Sequence, residues 1–123
     1  MSKNVPLFWQ ASDQKGLLEK ITAYVEANLT QKITLQMIAG QFHVSVSTVT
    51  QLFRRKTEGT FHHFVTKLRM EKAKDLILQG LPLEAVGKAI GYQDHSTFYR
   101  AFRQTFGISP REFRKAKTRE ATE

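Results

Sequence analysis

Apolar residues recur along this chain at intervals of three and four and never alternate one by one over the length of a strand, a helical pattern throughout. Leu17, Leu18, Ile21, Val25 and Leu29 share one face of a first helix over about residues 17–29, with Glu19, Lys20 and Glu26 opposite. Thr34 offers an N-cap to a second helix carrying Leu35, Ile38, Ala39 and Phe42. Ser45 caps a third, to about Thr57, whose apolar side holds Val49, Leu52 and Phe53. Thr60 opens a long fourth helix that runs to Gln79 and is stopped by Gly80. A fifth covers 83–90, and Gln93 or Asp94 caps a sixth that ends near Phe106. Ser109-Pro110-Arg111-Glu112 then sets an N-cap, a proline at the first helical position and a capping-box glutamate in order. The pattern predicts an all-α chain of seven helices.

The pattern also repeats. Leu35, Ile38, Phe42 and Val44 recur 48 residues later as Leu83, Val86, Ile90 and Tyr92. Beyond one inserted residue, Val49, Phe53, Arg54, Thr60 and Phe64 recur at 49 as Phe98, Phe102, Arg103, Ser109 and Phe113. Two copies are too few for a stacked solenoid, so the repeat is read as two helix-turn-helix lobes. The expected division is an irregular segment at 1–16, a first lobe at 17–59, a linker helix at 60–80, a second lobe at 81–118 and a tail at 119–123. Leu7, Phe8 and Trp9, in the irregular segment, are expected to pack on the core, the alternative being a lost contact to another domain.

In a helix-turn-helix the second helix keeps one face for the core and offers the other to base edges in the major groove. In the third helix Val49, Leu52 and Phe53 point inward, which leaves Ser47, Thr50, Gln51 and Arg54 outward. In the sixth, Phe98, Ala101, Phe102 and Thr105 are expected to face in, and His95, Ser96, Tyr99, Arg100 and Arg103 out. These outward residues suit DNA: glutamine pairs with adenine, arginine with guanine, and tyrosine and serine with phosphate or base. A linker helix of about 20 residues spans roughly 30 Å, comparable with the ~34 Å between successive major grooves on one side of a duplex.

Charge sharpens the choice of partner. The chain carries 19 Lys and Arg against 11 Asp and Glu, a net charge of +8 over 123 residues. Residues 54–119 hold 15 of those cations against six acids, a surplus of nine, and include all eight arginines. Polyanions are the natural partners of such a chain. The absence of cysteine excludes a disulfide framework, a thiolate nucleophile and a cysteine zinc site. No apolar run approaches the ~20 residues of a membrane span and no signal-peptide core opens the chain, so a cytoplasmic protein without membrane contact is expected.

Catalytic constellations are lacking. Asp94-His95-Ser96 has the letters of a hydrolase triad, but consecutive helical residues fan out by 100° and cannot converge. His62 and His63 are adjacent and face different ways, with no metal-ligand spacing around them. Asn28-Leu29-Thr30 is a glycosylation sequon only in a secreted protein. A non-enzyme with no metal and no cofactor is expected.

The segment Gly91-Tyr92-Gln93-Asp94-His95-Ser96-Thr97-Phe98-Tyr99-Arg100-Ala101-Phe102-Arg103, with Gly107-Ile108-Ser109-Pro110-Arg111-Glu112-Phe113-Arg114 after it, resembles the AraC/XylS signature of bacterial transcription regulators. Arg69-Met70-Glu71-Lys72-Ala73 is similar to that family's linker-helix motif, and the likeness covers residues 17–114. The resemblance implies two helix-turn-helix lobes bridged by one helix, sequence-specific binding of double-stranded DNA near promoters, and activation through contacts with RNA polymerase. It implies either a stand-alone member of the family, acting as a monomer, or the carboxy-terminal part of a longer regulator. Two positions depart from the family pattern. His43-Val44 stands where the family turn carries glycine and an aromatic, so His43 is expected in a left-handed or altered turn. Glu58 holds the place of a family glycine, with Gly59 next, and Ser47, Thr50 and Gln51 reach less far than the Trp and Arg often used. The alternative to a sequence-specific regulator is a basic helical protein that binds DNA or RNA by shape alone.

Overall fold

The structure, a computed structural model, describes residues 11–122. Among them are seven α-helices and no strand: α1 (Ala11–Ala27), α2 (Leu35–Gln41), α3 (Val46–Lys56), α4 (Phe61–Leu78), α5 (Leu83–Ala89), α6 (His95–Phe106) and α7 (Pro110–Thr122). The expected packing of Leu7, Phe8 and Trp9 lies outside the described residues. No helix among the described residues is long and apolar enough to cross a membrane.

Both ends of the helical pattern extend further than expected. Residues 11–16, read as irregular, are already helical, because Ala11-Ser12-Asp13-Gln14-Lys15 contains no breaker. The expected tail at 119–123 is helical through Thr122, with Lys117 Nζ 3.5 Å from Glu120 Oε1 bridging one turn of it. Between these ends the caps stand at their predicted residues. Thr34 Oγ1 accepts the Met37 N–H at 3.1 Å and Thr60 Oγ1 that of His63 at 3.1 Å. Ser109 and Glu112 close a reciprocal capping box, at 3.1 Å and 2.8 Å.

By backbone contacts the chain divides into two units. Among the described residues, one comprises 11–28 together with 33–64; the other comprises 29–32 and 65–122. The boundary between the units falls within α4, whose first turn lies with the first unit and the rest with the second. In the first unit Ile21 and Val25 of α1, Ile38 of α2, and Val49 and Phe53 of α3 are fully buried. Phe53 stacks edge-on against Phe61 and Phe64 of α4, at 5.3 Å and 4.8 Å between ring centroids. In the second unit Met70, Ala73 and Ile77 of α4 pack with Val86, Ile90, Phe98, Phe102 and Phe113 in one cluster.

Each helix-turn-helix turn ends its leading helix in the same way. The Val44 N–H donates to Ala39 O at 3.0 Å and the His43 N–H to Gly40 O at 3.4 Å; Tyr92 N–H to Gly87 O at 2.9 Å and Gly91 N–H to Lys88 O at 3.2 Å repeat the pair. This six-to-one and five-to-two pairing requires a left-handed residue between, and His43 (φ 57°) and Gly91 (φ 98°) supply it. The expectation of a left-handed turn at His43 is met. At Gly91 space adds a second demand, because a Cβ there would lie 2.4 Å from Leu29 O.

Gly91→Ala is therefore expected to lower the unfolding free energy by about 2 kcal/mol or more, since left-handed strain and a backbone clash combine. His43→Gly, which meets only the first demand, should raise it by about 0.5–1 kcal/mol. Thermal and denaturant melts followed by circular dichroism check both, and equal effects at the two positions would contradict the steric assignment.

Candidate nucleic-acid interface

The second helix of each turn is set up from its N-terminus. Before α3, Ser45 Oγ accepts the Thr48 N–H at 2.9 Å and lies 2.8 Å from the Thr48 hydroxyl. Before α6, one Asp94 carboxylate oxygen accepts the Thr97 N–H and the other the Thr97 hydroxyl, each at 2.8 Å. The cap and its partner three residues on thus recur at the repeat spacing, and the Thr48 and Thr97 hydroxyls are both engaged with their caps.

Burial then fixes which way each helix faces. On α3, Val49, Leu52 and Phe53 are buried, Ser47, Gln51 and Arg54 exposed and Thr50 half-buried. On α6, Phe98 and Phe102 are fully buried, His95, Ser96, Arg100 and Arg103 exposed, and Tyr99 half-buried. Each set of predicted contact residues is gathered on one helix of one unit. The His95 ring lies against Tyr99, 5.2 Å between centroids, and 6.1 Å from Phe98. Thr105 corrects the expected inward face: it is exposed, and its hydroxyl donates to Ala101 O at 2.8 Å, bonding back along its own helix. α3 closes on three exposed cations in succession, Arg54, Arg55 and Lys56, which also favour the negative end of the helix.

Charge counting alone treats every arginine as available to a polyanion. Two of the eight are turned to neutral carbonyls instead. Arg69 donates from Nη2 to Gln31 O at 2.8 Å and from Nε to Leu29 O at 3.3 Å, with its guanidinium 5.9 Å from the Tyr92 ring. Arg114 donates from Nη2 to the carbonyls of Ile77, in the last turn of α4, and of Leu81, just beyond it. Lys74 likewise sits 4.5 Å over the Phe106 ring and 3.7 Å from Glu71. The family-like motifs contain both Arg69 and Arg114, but the motif around Arg114 holds Arg111 as well and does not tell the two apart.

Local electrostatics follow the caps. The Asp94 carboxyl is held below its ordinary range chiefly by the Thr97 N–H and then by the Thr97 hydroxyl, and Arg100 adds a smaller pull. Glu112 is held down by the Ser109 N–H first and its hydroxyl next, with Arg103 contributing less. Burial pushes the Tyr92 hydroxyl up, against the opposing influence of Arg69 and a hydrogen bond with Thr66. No group of three or more His, Asp or Glu among the described residues could hold a metal ion.

A family profile described as a helix-turn-helix domain matches residues 38–116 of the chain. The chain is 30% identical over 115 residues to the HTH-type transcriptional regulator YijO of Escherichia coli K12, a match covering 92% of this chain and 40% of that protein. It is 33% identical over 97 residues to the HTH-type transcriptional activator CfaD of Escherichia coli, covering 77% of this chain and 36% of that one. The chain therefore spans well under half the length of these relatives. Among solved structures it superposes, with a TM-score of 0.78 and 25% identity, on a transcriptional regulator with an AraC-type DNA-binding domain from Chromobacterium violaceum. That superposition covers 85% of this chain and 94% of the other.

The cap of α6 contains a titratable group, so its support is pH-dependent. A carboxyl lowered in the folded state stabilises that state while ionised, fully above the unfolded carboxylate range, and the support is lost as pH falls through the folded value. Melting midpoints between pH 7 and pH 3 should therefore fall more steeply for the unaltered protein than for Asp94→Asn. The asparagine caps about as well at neutral pH without titrating. Parallel curves for the two proteins would rule out Asp94 as an acid-labile cap.

Proposed function

The chain belongs to the AraC family of helix-turn-helix transcription regulators, and from that premise we propose that it recognises a specific double-stranded DNA sequence with α3 and α6 and activates transcription there. One observation carries the reading: α3 and α6, the two copies of the repeat, differ at most paired positions yet bury the same apolar face and expose the same polar one. A solvated surface has no need to repeat that design. CfaD, an activator by name, is among the chain's relatives and supports the choice of activation.

In this reading the two helices enter successive major grooves of a site about two helical turns long, and one chain binds as a monomer in the cytoplasm. Arg100 forms a two-pronged contact with guanine and Gln51 one with adenine. His95, Ser96, Tyr99, Ser47 and Thr50 assist at base edges or the sugar-phosphate chain, while Arg54 and Arg103 engage phosphates. RNA polymerase is the protein partner, and neither membrane nor cofactor takes part. Non-specific binding to duplex or RNA is the competing reading; it predicts equal affinity for every duplex at physiological salt.

Selection from a random duplex pool tests the proposal, which requires one enriched sequence. On that sequence Arg100→Ala should cost about 1–3 kcal/mol and relax discrimination at a single base pair. Arg54→Ala should weaken all duplexes alike and flatten the dependence of log K on log salt by about one. An unchanged sequence ranking for Arg100→Ala would remove that residue from the reading set.

A further inference from the structure

Val46 is the first residue of α3 and is 36% exposed, one of few large apolar side chains left to solvent among the described residues. Its neighbours are already committed: Ser45 and Thr48 hold each other in the cap, and Val49 is buried in the core. Across the 49-residue repeat Val46 corresponds to His95, the first residue of α6. There the imidazole leans on the Tyr99 ring, whereas the residue matching Tyr99 on α3 is Thr50, which has no ring to offer. The two helices therefore present different chemistry at the same position, a polar ring on α6 and bare methyl groups on α3.

The N-terminal turn of a recognition helix is the part that approaches base edges. In the major groove the one base feature an apolar side chain can read is the 5-methyl group of thymine. We infer that Val46 contacts a thymine methyl in the part of the site read by α3, an inference that rests on α3 being a recognition helix. With Gln51 suited to adenine, and with no arginine on α3 before Arg54, the first lobe is directed to A·T pairs and the second, through Arg100, to guanine.

The test removes the methyl and nothing else. The duplex recovered by pool selection is remade with each thymine in turn replaced by deoxyuridine, and the full chain and Val46→Ala are titrated against every version at one salt concentration. At one thymine, uracil should weaken the unaltered protein by about three- to fivefold, the effect expected for one methyl contact. Val46→Ala should bind the thymine and uracil versions equally at that position and keep the melting curve of the parent. If every thymine gives the two proteins the same ratio, the inference falls while sequence-specific binding stands. If the pool yields no preferred sequence, that reading fails, and the inference falls with it.

Discussion

The rotation of α3 and of α6 about its own axis decides which side chains each helix presents to solvent, and in both that rotation is set by buried phenylalanine. Phe53 on α3 and Phe102 on α6 have no exposure, and burying such a ring is worth about 1.5–3 kcal/mol. Edge-on contacts to Phe61 and Phe64 for the one, and to Phe98 and Phe106 for the other, constrain each ring's angle as well as its depth. Arg54 and Arg103 each follow the buried ring by one residue, about 100° around the helix. A quarter-turn of either helix would bring an arginine toward the core and a phenyl ring into water, and both changes are unfavourable. The polar face is thus held in place by what lies behind it.

The turns that deliver these helices share one backbone solution with two different tolerances. His43 and Gly91 both sit in the left-handed region, and the same pair of returning hydrogen bonds surrounds each. Histidine is admissible at 43, where the side chain is exposed and conformational strain is the only cost. At 91 the carbonyl of Leu29 stands where a Cβ would be, so glycine is required by space as well as by φ. Arg69 holds that same Leu29 carbonyl and the Gln31 carbonyl, and its guanidinium faces the Tyr92 ring next to the turn. A departure from the family pattern at one turn and adherence at the other have the same physical origin.

Most of this was legible in the chain because helices declare themselves locally. Thr34, Ser45, Thr60, Asp94 and Ser109 are short polar side chains placed one residue before an apolar period begins, and each caps the helix it was expected to cap. The period in α3 and α6 separates Phe53 and Phe102 from Gln51 and Arg100 without any knowledge of tertiary structure. What stayed hidden depends on partners far along the chain, or on the weak signals at helix ends. The start of α1 at Ala11 has no cap letter to announce it, and Thr105 sits at the edge of the apolar stripe, where periodicity cannot decide. Nothing local distinguishes Arg114, bonded to carbonyls more than thirty residues away, from the exposed Arg111 beside it in the same helix.

That last distinction changes how the basic character should be understood. A guanidinium bonded to backbone carbonyls has neutral partners, so Arg69 and Arg114 keep their full charge and still add to the field that draws a polyanion in. Part of each guanidinium's donor set is taken up by those carbonyls, however, and the short-range contacts that position a phosphate need free N–H groups. Cations held by carbonyls contribute to encounter more than to the final bound geometry. The reverse holds for Lys117, whose charge is partly countered by Glu120 3.5 Å away. Net charge therefore bears on whether a polyanion is attracted, while the division between occupied and free donors bears on where one would be gripped. On α3 and α6 the exposed donors are Gln51 and Arg100, opposite the buried rings, and Arg54 and Arg103, about 100° from them, so on the proposed reading attraction and grip converge on these faces.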